Sequence, residues 1–226
     1  MIQVITISRE FGSGGSLIAN ILAMRLNWKL VDDPVVAELA KAADIDPNVA
    51  VRYDECVDPW FYRMVKAIWR GGYEGGVTRP NSEAFDADAM AALWHRTIQE
   101  AAEIGDCIIV GRGAQCILQD RKDVFHVSVY APFEDRIRLL REMLPGRDDY
   151  EVLAEETDKR RAAYIQRYFS QDWTNRHLYN LMICSTIGLE EVANVILLAA
   201  GLQPESAGGR QASTPTSGGE PLSQKR

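Results

Sequence analysis

The chain has little of what distinguishes secreted, metal-binding or membrane-spanning proteins. It contains four cysteines and three histidines in 226 residues, and no two cysteines form a C-x-x-C pair. The wide spacing of Cys56, Cys107, Cys116 and Cys184 favours buried, reduced thiols over disulfides or metal ligands. No apolar run is long enough to cross a bilayer, and the sequence opens directly in a strand-like segment. We therefore expect a cytoplasmic protein without a membrane partner.

An excess of basic residues is also lacking. The 25 lysines and arginines face 32 acidic residues, which gives a formal net charge of −7. Broad binding to nucleic acid polymers or anionic membranes needs concentrated positive charge, so both partners are disfavoured. A polyanionic ligand must instead meet a local basic pocket. At 226 residues and 46% hydrophobic content, the chain suits one substantial α/β domain.

Short apolar runs alternate with helix-period segments along the chain. The predicted strands cover residues 2–8, 29–32, 107–111, 124–130 and 180–185. The predicted helices cover residues 14–27, 34–43, 58–70, 83–104, 132–143, 149–170 and 188–200. This alternation is typical of a five-stranded parallel sheet with helices on both faces, a three-layer α/β/α fold.

Two segments depart from this alternation. Residues 44–82 are irregular and contain several prolines and glycines, which indicates an insertion beside the active face that either holds substrate or is a plain loop. From residue 203 onwards, Pro, Gly, Ser and Thr replace the apolar pattern. Such a segment cannot bury enough apolar surface to offset its ordering entropy. We predict one domain over 1–202 and a disordered tail over 203–226.

The strongest local signal is a glycine-rich turn between the first strand and the first helix. Gly12, Gly14 and Gly15 let backbone N–H groups converge on an anion at a helix N-terminus, as in a phosphate-binding loop. Against the pattern G-x-x-x-x-G-K-S/T, Arg9 stands at the first glycine, Gly15 at the lysine and Ser16 at the magnesium-binding hydroxyl. The match is partial, so a tight turn without a ligand stays open. A dinucleotide fingerprint fits less well, because its last glycine is absent.

Three stretches together resemble the cytidylate kinase-like family. They are Ile-Ser-Arg-Glu-Phe-Gly-Ser-Gly-Gly at 7–15, Ile-Ile-Val-Gly-Arg-Gly-Ala at 108–114, and Asp-Lys-Arg-Arg-Ala-Ala-Tyr at 158–164, with Trp173 and Tyr179 beyond. Their order and spacing fit the family from about residue 1 to 200. The resemblance implies a P-loop nucleoside monophosphate kinase fold, with an insertion that closes over the acceptor and a helical lid that carries arginines.

The resemblance also implies roles for individual residues. The donor phosphates of ATP would be surrounded by the loop residues Gly12, Ser13, Gly14, Gly15 and Ser16. The Ser16 hydroxyl would help to hold Mg²⁺. Arg112 matches the arginine that binds the acceptor monophosphate, and Arg161 matches a lid arginine with Arg160 beside it.

Two departures from the better-characterised enzymes of this kind bear on the chemistry. Gly15 replaces their phosphate-binding lysine, and Gly113 stands where they carry an acid. Catalysis of phosphoryl transfer depends on alignment and on positive charge placed against the transferring group. A working kinase must therefore replace the lysine. Arg9, on the loop itself, and Arg161, by lid closure, are the leading candidates, while Arg112 follows a strand that ends at the same crevice.

Structural interpretations of these side chains stay open beside the catalytic ones. Arg160 and Arg161 can simply pair with acids of their own helix. Arg136, whose segment interleaves arginines with acids, is predicted to be solvated. Asp33 follows the second strand, where it can bind the acceptor nucleotide or cap the next helix. His126 is interpreted as a structural histidine.

We expect an ATP- and Mg²⁺-dependent kinase for a nucleoside monophosphate, with CMP or dCMP implied by the resemblance alone. Two alternatives stay open. The same scaffold can serve another small substrate, because the loop reports only on the donor phosphates. The second alternative is a nucleotide-binding regulatory protein that has lost turnover along with its lysine. ATP binding without turnover would favour this alternative.

Overall fold

The structure, a computed structural model, describes residues 1–32 and 87–203. Its first elements are β1 (Val4–Arg9), α1 (Gly15–Leu26), β2 (Lys29–Val31), α2 (Ala87–Ile104) and β3 (Cys107–Val110). There follow α3 (Ala114–Ile117), β4 (Val124–Tyr130), α4 (Phe133–Met143), α5 (Tyr150–Phe169), β5 (Leu181–Cys184) and α6 (Leu189–Ala200), with short 3-10 helices at Arg176–Leu178 and Ser185–Ile187. The helices predicted over 34–43 and 58–70, the predicted insertion and the tail beyond residue 203 lie outside the described residues.

The five strands form one parallel sheet in the order β2-β3-β1-β4-β5. The central strand β1 pairs with β3 on one side, Ile7 opposite Val110, and with β4 on the other, Arg9 opposite Val129. All carboxyl ends therefore meet at one edge, which is where ligands bind in open parallel sheets. The predicted five-stranded α/β fold is confirmed, and each strand ends within two residues of its predicted bounds.

Helices cover both faces of this sheet and bury a separate apolar core on each. The core beneath α2 includes Val4, Val31, Trp94, Ile98 and Ile109. The core beneath α1 and α6 includes Ile5, Ile7, Leu22, Ile108 and Ile196. Successive strand residues alternate between the two cores, as the pleat requires. Each fully buried aliphatic side chain contributes roughly 1.5–3 kcal/mol, so the sheet is a stable platform for the loops at its carboxyl edge.

A helical hairpin of α4 and α5 lies against the loops at this edge. Phe11, from the loop after β1, packs on the small core between the two helices, which consists of Ile137, Leu140, Tyr150 and Ala154. Farther along α5, Ile165 packs with Cys116 of α3 and with Leu178. The helix therefore contacts the segments that follow both β1 and β3, and we call α5 the lid helix.

Some short elements escape sequence-based prediction. The helix α3 has four residues and each 3-10 helix three, too few to display a helical period. None of the described helices is long and apolar enough to span a membrane.

The three described cysteines are free thiols, as predicted, and Cys56 lies outside the described residues. Burial raises the pKa of Cys107 to about 12 and that of Cys116 to about 11. Both thiols therefore stay protonated at neutral pH and behave as small apolar side chains.

Candidate active site

The loop between β1 and α1 has the backbone shape of an anion-binding turn. Gly12 and Gly14 have φ of +84° and +80°, in the left-handed region that glycine enters at little cost. Neither position has room for a side chain, since a Cβ on Gly12 would lie 2.8 Å from the Arg136 carbonyl oxygen and one on Gly14 2.6 Å from Leu189 Cδ2. Gly14 caps α1, so the first N–H groups of that helix, which cannot bond within it, open onto the loop.

The two serines of the loop face in different directions. Ser13 is buried, and its hydroxyl contacts the carbonyl oxygens of Glu10 at 2.9 Å and Val129 at 3.2 Å, which ties the loop to the sheet. Ser16 is exposed in the first turn of α1. The hydroxyl that can reach a ligand is therefore that of Ser16.

The loop offers an exposed hydroxyl that could contact a metal ion bound to phosphate. Over 1–32 and 87–203, no cluster of three or more His, Cys, Asp or Glu side chains is arranged to hold a metal. Mg²⁺ in nucleotide sites is bound largely by phosphate oxygens and water, with few protein ligands. An exposed Ser16 at a helix N-terminus, where negative charge is favoured, fits this arrangement.

Arg9 and Gly15 lie directly against each other. Arg9 is the last residue of β1, and Gly15 is the first residue of α1. A Cβ on Gly15 would lie 2.6 Å from Arg9 Cβ and 3.0 Å from Arg9 Cγ. At its other end the arginine reaches the loop after β3, because a Cβ on Gly111 would lie 3.3 Å from Arg9 Cζ. The side chain of Arg9 thus spans from the start of α1 to the carboxyl end of β3.

Three consecutive residues with left-handed backbone form the turn after β3. The φ angles are +75° at Gly111, +54° at Arg112 and +76° at Gly113. This conformation costs a residue with a Cβ roughly 1–2 kcal/mol, so an arginine in the middle of the turn is strained. Arg112 Cζ lies 5.1 Å from the centre of the Trp94 ring, a cation–π contact that fixes the guanidinium. Strain of this kind concentrates at functional sites.

Gly113 lacks a side chain because the end of the lid helix packs on it. A Cβ at this position would overlap the ring of Phe169, lying 2.6 Å from Cζ. Gly113 also caps α3, with its φ in the left-handed region. The contact with Phe169 therefore accounts for the glycine at position 113.

Asp158, on the lid helix, joins that helix to the glycine-rich loop. One of its carboxylate oxygens accepts the backbone N–H of Phe11 at 2.9 Å, and the other is paired with Arg136. Arg136 also donates from Nε to the Phe11 carbonyl oxygen at 2.8 Å and lies 3.5 Å from Glu10 Oε2. Its side chain is only 8% exposed, so the prediction that Arg136 is solvated is wrong. The arginine is a buried ion that fixes the backbone of the loop.

The two lid arginines have different surroundings. Arg161 Nη1 donates to the carbonyl oxygen of Arg9 at 2.9 Å and lies 3.6 Å from Asp158 Oδ1. Its guanidinium carbon lies 5.5 Å from the centre of the Phe11 ring. Arg160 is exposed and donates to Thr157 Oγ1 at 3.1 Å. Arg161 therefore contacts the loop as well as its own helix.

A cavity of about 510 Å³ lies between the loops after β1 and β3 and the lid helix. Four arginines line it, namely Arg9, Arg112, Arg160 and Arg161. Among the described residues, no aspartate or glutamate lines it. The structure thus brings together the arginines singled out in the sequence. The segment Gly12 to Ser16 does not line this cavity, although its neighbours Arg9 and Phe11 do. Asp33 lies outside the described residues.

The same cavity has a polar floor that sequence reasoning missed. Ser8 and Gln115 line it, and both are buried. The Tyr179 hydroxyl donates to the Trp173 carbonyl oxygen at 2.6 Å and lies 3.3 Å from Ser8 Oγ. Burial raises the pKa of Tyr179, so the hydroxyl keeps its proton at neutral pH. Ser8 and Tyr179 stand in the stretches that resemble the family, whereas no sequence signal separates Gln115 from ordinary structural residues.

Two aromatic side chains line the cavity together with Arg112. Tyr164, from the lid helix, and Trp173 both line it. Burial raises the pKa of Tyr164, and the positive charge of Arg112 opposes that rise. Tyr164 also contacts Tyr168, with ring centres 4.8 Å apart. The cavity therefore offers both positive charge and flat aromatic surface.

The strand order and the glycine-rich turn after β1 define a P-loop α/β fold of the nucleoside monophosphate kinase type. Residues 4–187 match the model of the cytidylate kinase-like family, so the chain belongs to that family. No curated protein matches the chain.

Several solved structures are similar. A protein described as uncharacterized, from Eubacterium ventriosum ATCC 27560, has 21% identity and a TM-score of 0.65, and the match covers 90% of this chain and 100% of that one. Shikimate kinase from Acinetobacter baumannii, in complex with shikimate, has 14% identity and a TM-score of 0.48, with 87% and 92% covered. Shikimate kinase from Bacteroides thetaiotaomicron has 13% identity and a TM-score of 0.48, with 89% and 100% covered. At such identities the similarity concerns the fold alone.

Proposed function

We propose that this protein transfers the γ-phosphoryl group of ATP, with Mg²⁺, to a nucleoside monophosphate, and that CMP or dCMP is the acceptor. One observation carries the proposal. Arg9, Arg112, Arg160 and Arg161 line a single cavity beside the glycine-rich loop, and no acidic side chain among the described residues lines it with them. In a chain with a net charge of −7, four converging arginines mark a site for a strongly anionic ligand.

The chemistry asks little of the protein beyond position and charge. The bond between the γ-phosphorus and the β–γ bridging oxygen breaks, while an oxygen of the acceptor's phosphate bonds to the γ-phosphorus. ATP and a nucleoside monophosphate become ADP and a nucleoside diphosphate. An acceptor phosphate is already largely ionised at neutral pH, so no side chain has to remove a proton. Aligned arginines that face the transferring group therefore supply the main catalytic effect.

The donor side is supported by the loop. Its backbone turn and the N-terminus of α1 favour negative charge, and Ser16 presents an exposed hydroxyl there. A second cavity of about 190 Å³ lies beside the loop, and Gly12, Arg138, Asp135 and Glu142 are among the residues that line it. Donor phosphates that bridge the loop would leave the larger cavity for the acceptor.

The size of the larger cavity, its positive charge and its aromatic rings support an acceptor site there. A volume of about 510 Å³ lies within the range of roughly 300–1,000 Å³ usual for small-molecule sites. Arg112, held by Trp94, would bind the acceptor's phosphate, and Tyr164 and Trp173 offer rings for its base. The choice of cytosine over other bases comes from the family alone.

An assay that couples ADP release to a readout tests this function directly. The full chain with ATP and Mg²⁺ should release ADP only when an acceptor is added, and fastest with CMP or dCMP in a panel of nucleoside monophosphates. Arg112→Met should slow the reaction, while Arg147→Met should not, because Arg147 lies in an exposed ion pair with Asp149 away from the cavity.

The alternatives give different results in the same assay. Acceptor-dependent turnover with a non-nucleotide substrate would keep the kinase and replace its acceptor. Binding of ATP with no turnover for any acceptor would favour a nucleotide-binding regulator. Absence of ATP binding would refute all three.

A further inference from the structure

We infer that Arg9 does the work of the phosphate-binding lysine that this loop lacks, and that position 15 is glycine because the stem of Arg9 fills the space of its side chain. The inference rests on the proposed function, since it names the residue that presents charge to the transferring phosphoryl group. It also makes a steric claim about Arg9 and Gly15 that can be tested without turnover.

The first step is the contact between the two residues. A Cβ on Gly15 would lie 2.6 Å from Arg9 Cβ, which is closer than side-chain carbons pack. Arg9 is the last residue of β1 and Gly15 the first of α1, so regular secondary structure fixes both backbone positions. Val129 Cβ, on the neighbouring strand, would lie 3.6 Å away on another side. A lysine at position 15 therefore cannot coexist with Arg9 in this loop.

The second step is the reach of the arginine. From its stem over Gly15, the side chain extends until its guanidinium meets Gly111, the first residue of the turn that carries Arg112. Arg9 lines the same cavity as Arg112. The guanidinium therefore lies between the loop that would hold the donor phosphates and the arginine that would hold the acceptor, which is where the phosphoryl group crosses.

The third step separates Arg9 from Arg161, the other candidate. Arg161 donates from Nη1 to the carbonyl oxygen of Arg9 and lies near Asp158. Its contact thus holds the backbone of Arg9 in place. Arg9 occupies the space of the missing side chain at position 15, and no Arg161 atom is among the three nearest to it. We assign Arg9 the catalytic role and Arg161 the positioning of Arg9.

An exchange of the two residues tests the inference. Four variants of the full chain are needed: Arg9→Met, Gly15→Lys, the double variant Arg9→Gly with Gly15→Lys, and the control Arg147→Gly with Gly15→Lys. The first double variant produces the complete G-x-x-x-x-G-K-S pattern. The control removes an exposed arginine at a distant loop and has the same total charge.

Folding is the first readout. Gly15→Lys alone should lower the melting temperature, and Arg9→Gly should relieve that loss while Arg147→Gly should not. Binding of Mg·ATP, measured by calorimetry on the variants that fold, is the second readout. Arg9→Met should weaken it by roughly tenfold or more, as expected for one lost charge-assisted contact, and the exchanged variant should bind more tightly than Arg9→Met.

Turnover is the third readout and belongs to the proposed function. If the parent is active, Arg9→Met should lower kcat by roughly a hundredfold or more, and the exchanged variant should recover part of that loss. A parent that binds Mg·ATP but transfers nothing would refute the kinase and leave the Arg9 inference standing on binding and folding. Unchanged Mg·ATP binding in Arg9→Met, or equal destabilisation of both double variants, would overturn the inference whatever the activity.

Discussion

The carboxylate of Asp158 accepts the backbone N–H of Phe11 at 2.9 Å, so an acidic side chain of the lid helix is bonded to the main chain of the glycine-rich loop. The same carboxylate is paired with the buried Arg136. This relationship makes the lid helix and the loop one unit in the described structure. One acid of the lid helix thus both pairs with a buried positive charge and holds the loop.

Replacing Asp158 by asparagine should destabilise the fold. The amide keeps the size and can still accept the Phe11 N–H, but Arg136 is left with Glu10 at 3.5 Å as its described carboxylate partner. We expect the free energy of unfolding in urea to fall by roughly 1.5–3 kcal/mol. Glu155→Gln, in an exposed pair with Lys159, should change it by less than about 0.5 kcal/mol. Equal effects of the two substitutions would contradict a structural role for the Asp158 charge.

We expect Arg112 to contribute to activity although its backbone conformation lowers the stability of the fold. Its φ of +54° suits glycine better than alanine, so Arg112→Gly should be more stable than Arg112→Ala by up to about 1 kcal/mol, even though both lose the contact with Trp94. Both should lower kcat/KM for the acceptor by at least about tenfold with ATP affinity little changed. Melting temperatures and steady-state kinetics measure the two effects. Equal losses for ATP and acceptor would place Arg112 on the donor phosphates instead.

Gly113→Ala should loosen the end of the lid helix. The new methyl group would meet the ring of Phe169 and would sit on a residue with φ of +76°. We expect a loss of about 2 kcal/mol, which thermal unfolding would show as a fall of several degrees. Phe169→Ala in the same chain should remove the clash, so the two substitutions together should cost less than the sum of their separate effects. Strict additivity would argue against the contact.

His126 should make the fold less stable in mild acid. Burial lowers the pKa of this histidine, whose Nδ1 lies 2.7 Å from Thr6 Oγ1, so the folded state favours the neutral ring. The stability that the neutral His126 ring contributes to the folded state is complete above the unfolded-state pKa of about 6.5. This stability is lost progressively as the pH falls below that value. Urea unfolding between pH 5 and 8 should show a weaker pH dependence in His126→Asn than in the parent. His177→Asn, at an exposed position, should keep the parent's slope.

The segment beyond residue 202 should be dispensable for the fold. Leu202 packs against the core beneath α1 and α6, and its N–H donates to the Leu197 carbonyl oxygen at 2.9 Å, so α6 ends there. The tail beyond it was predicted to be disordered from its composition. Truncation after Leu202 should shift the melting temperature by no more than a degree or two. A larger fall would show that the tail docks on the domain.

The strands and the glycine-rich turn could be predicted because their signals are local. Val4 to Ile7 form an apolar run that leads directly into Gly12 and Gly14, and both glycines have the positive φ for which glycine is needed. Arg136 could not be placed in the same way. Its segment interleaves arginines with acids, and its burial depends on Asp158 and Phe11, which a period along one helix cannot reveal. The contact between the Tyr179 hydroxyl and Ser8 Oγ likewise joins residues 171 positions apart.

The contact between Arg9 and Gly15 also limits how such loops can change over generations. A lysine at position 15 meets the stem of Arg9, while the loss of Arg9 alone takes a positive charge from the cavity. A lineage that passes from one kind of loop to the other must therefore cross an intermediate that is either crowded or short of charge. Arginine at the first position and glycine at the seventh should be inherited as a pair, so finding both in another genome's protein predicts the same buried contact there.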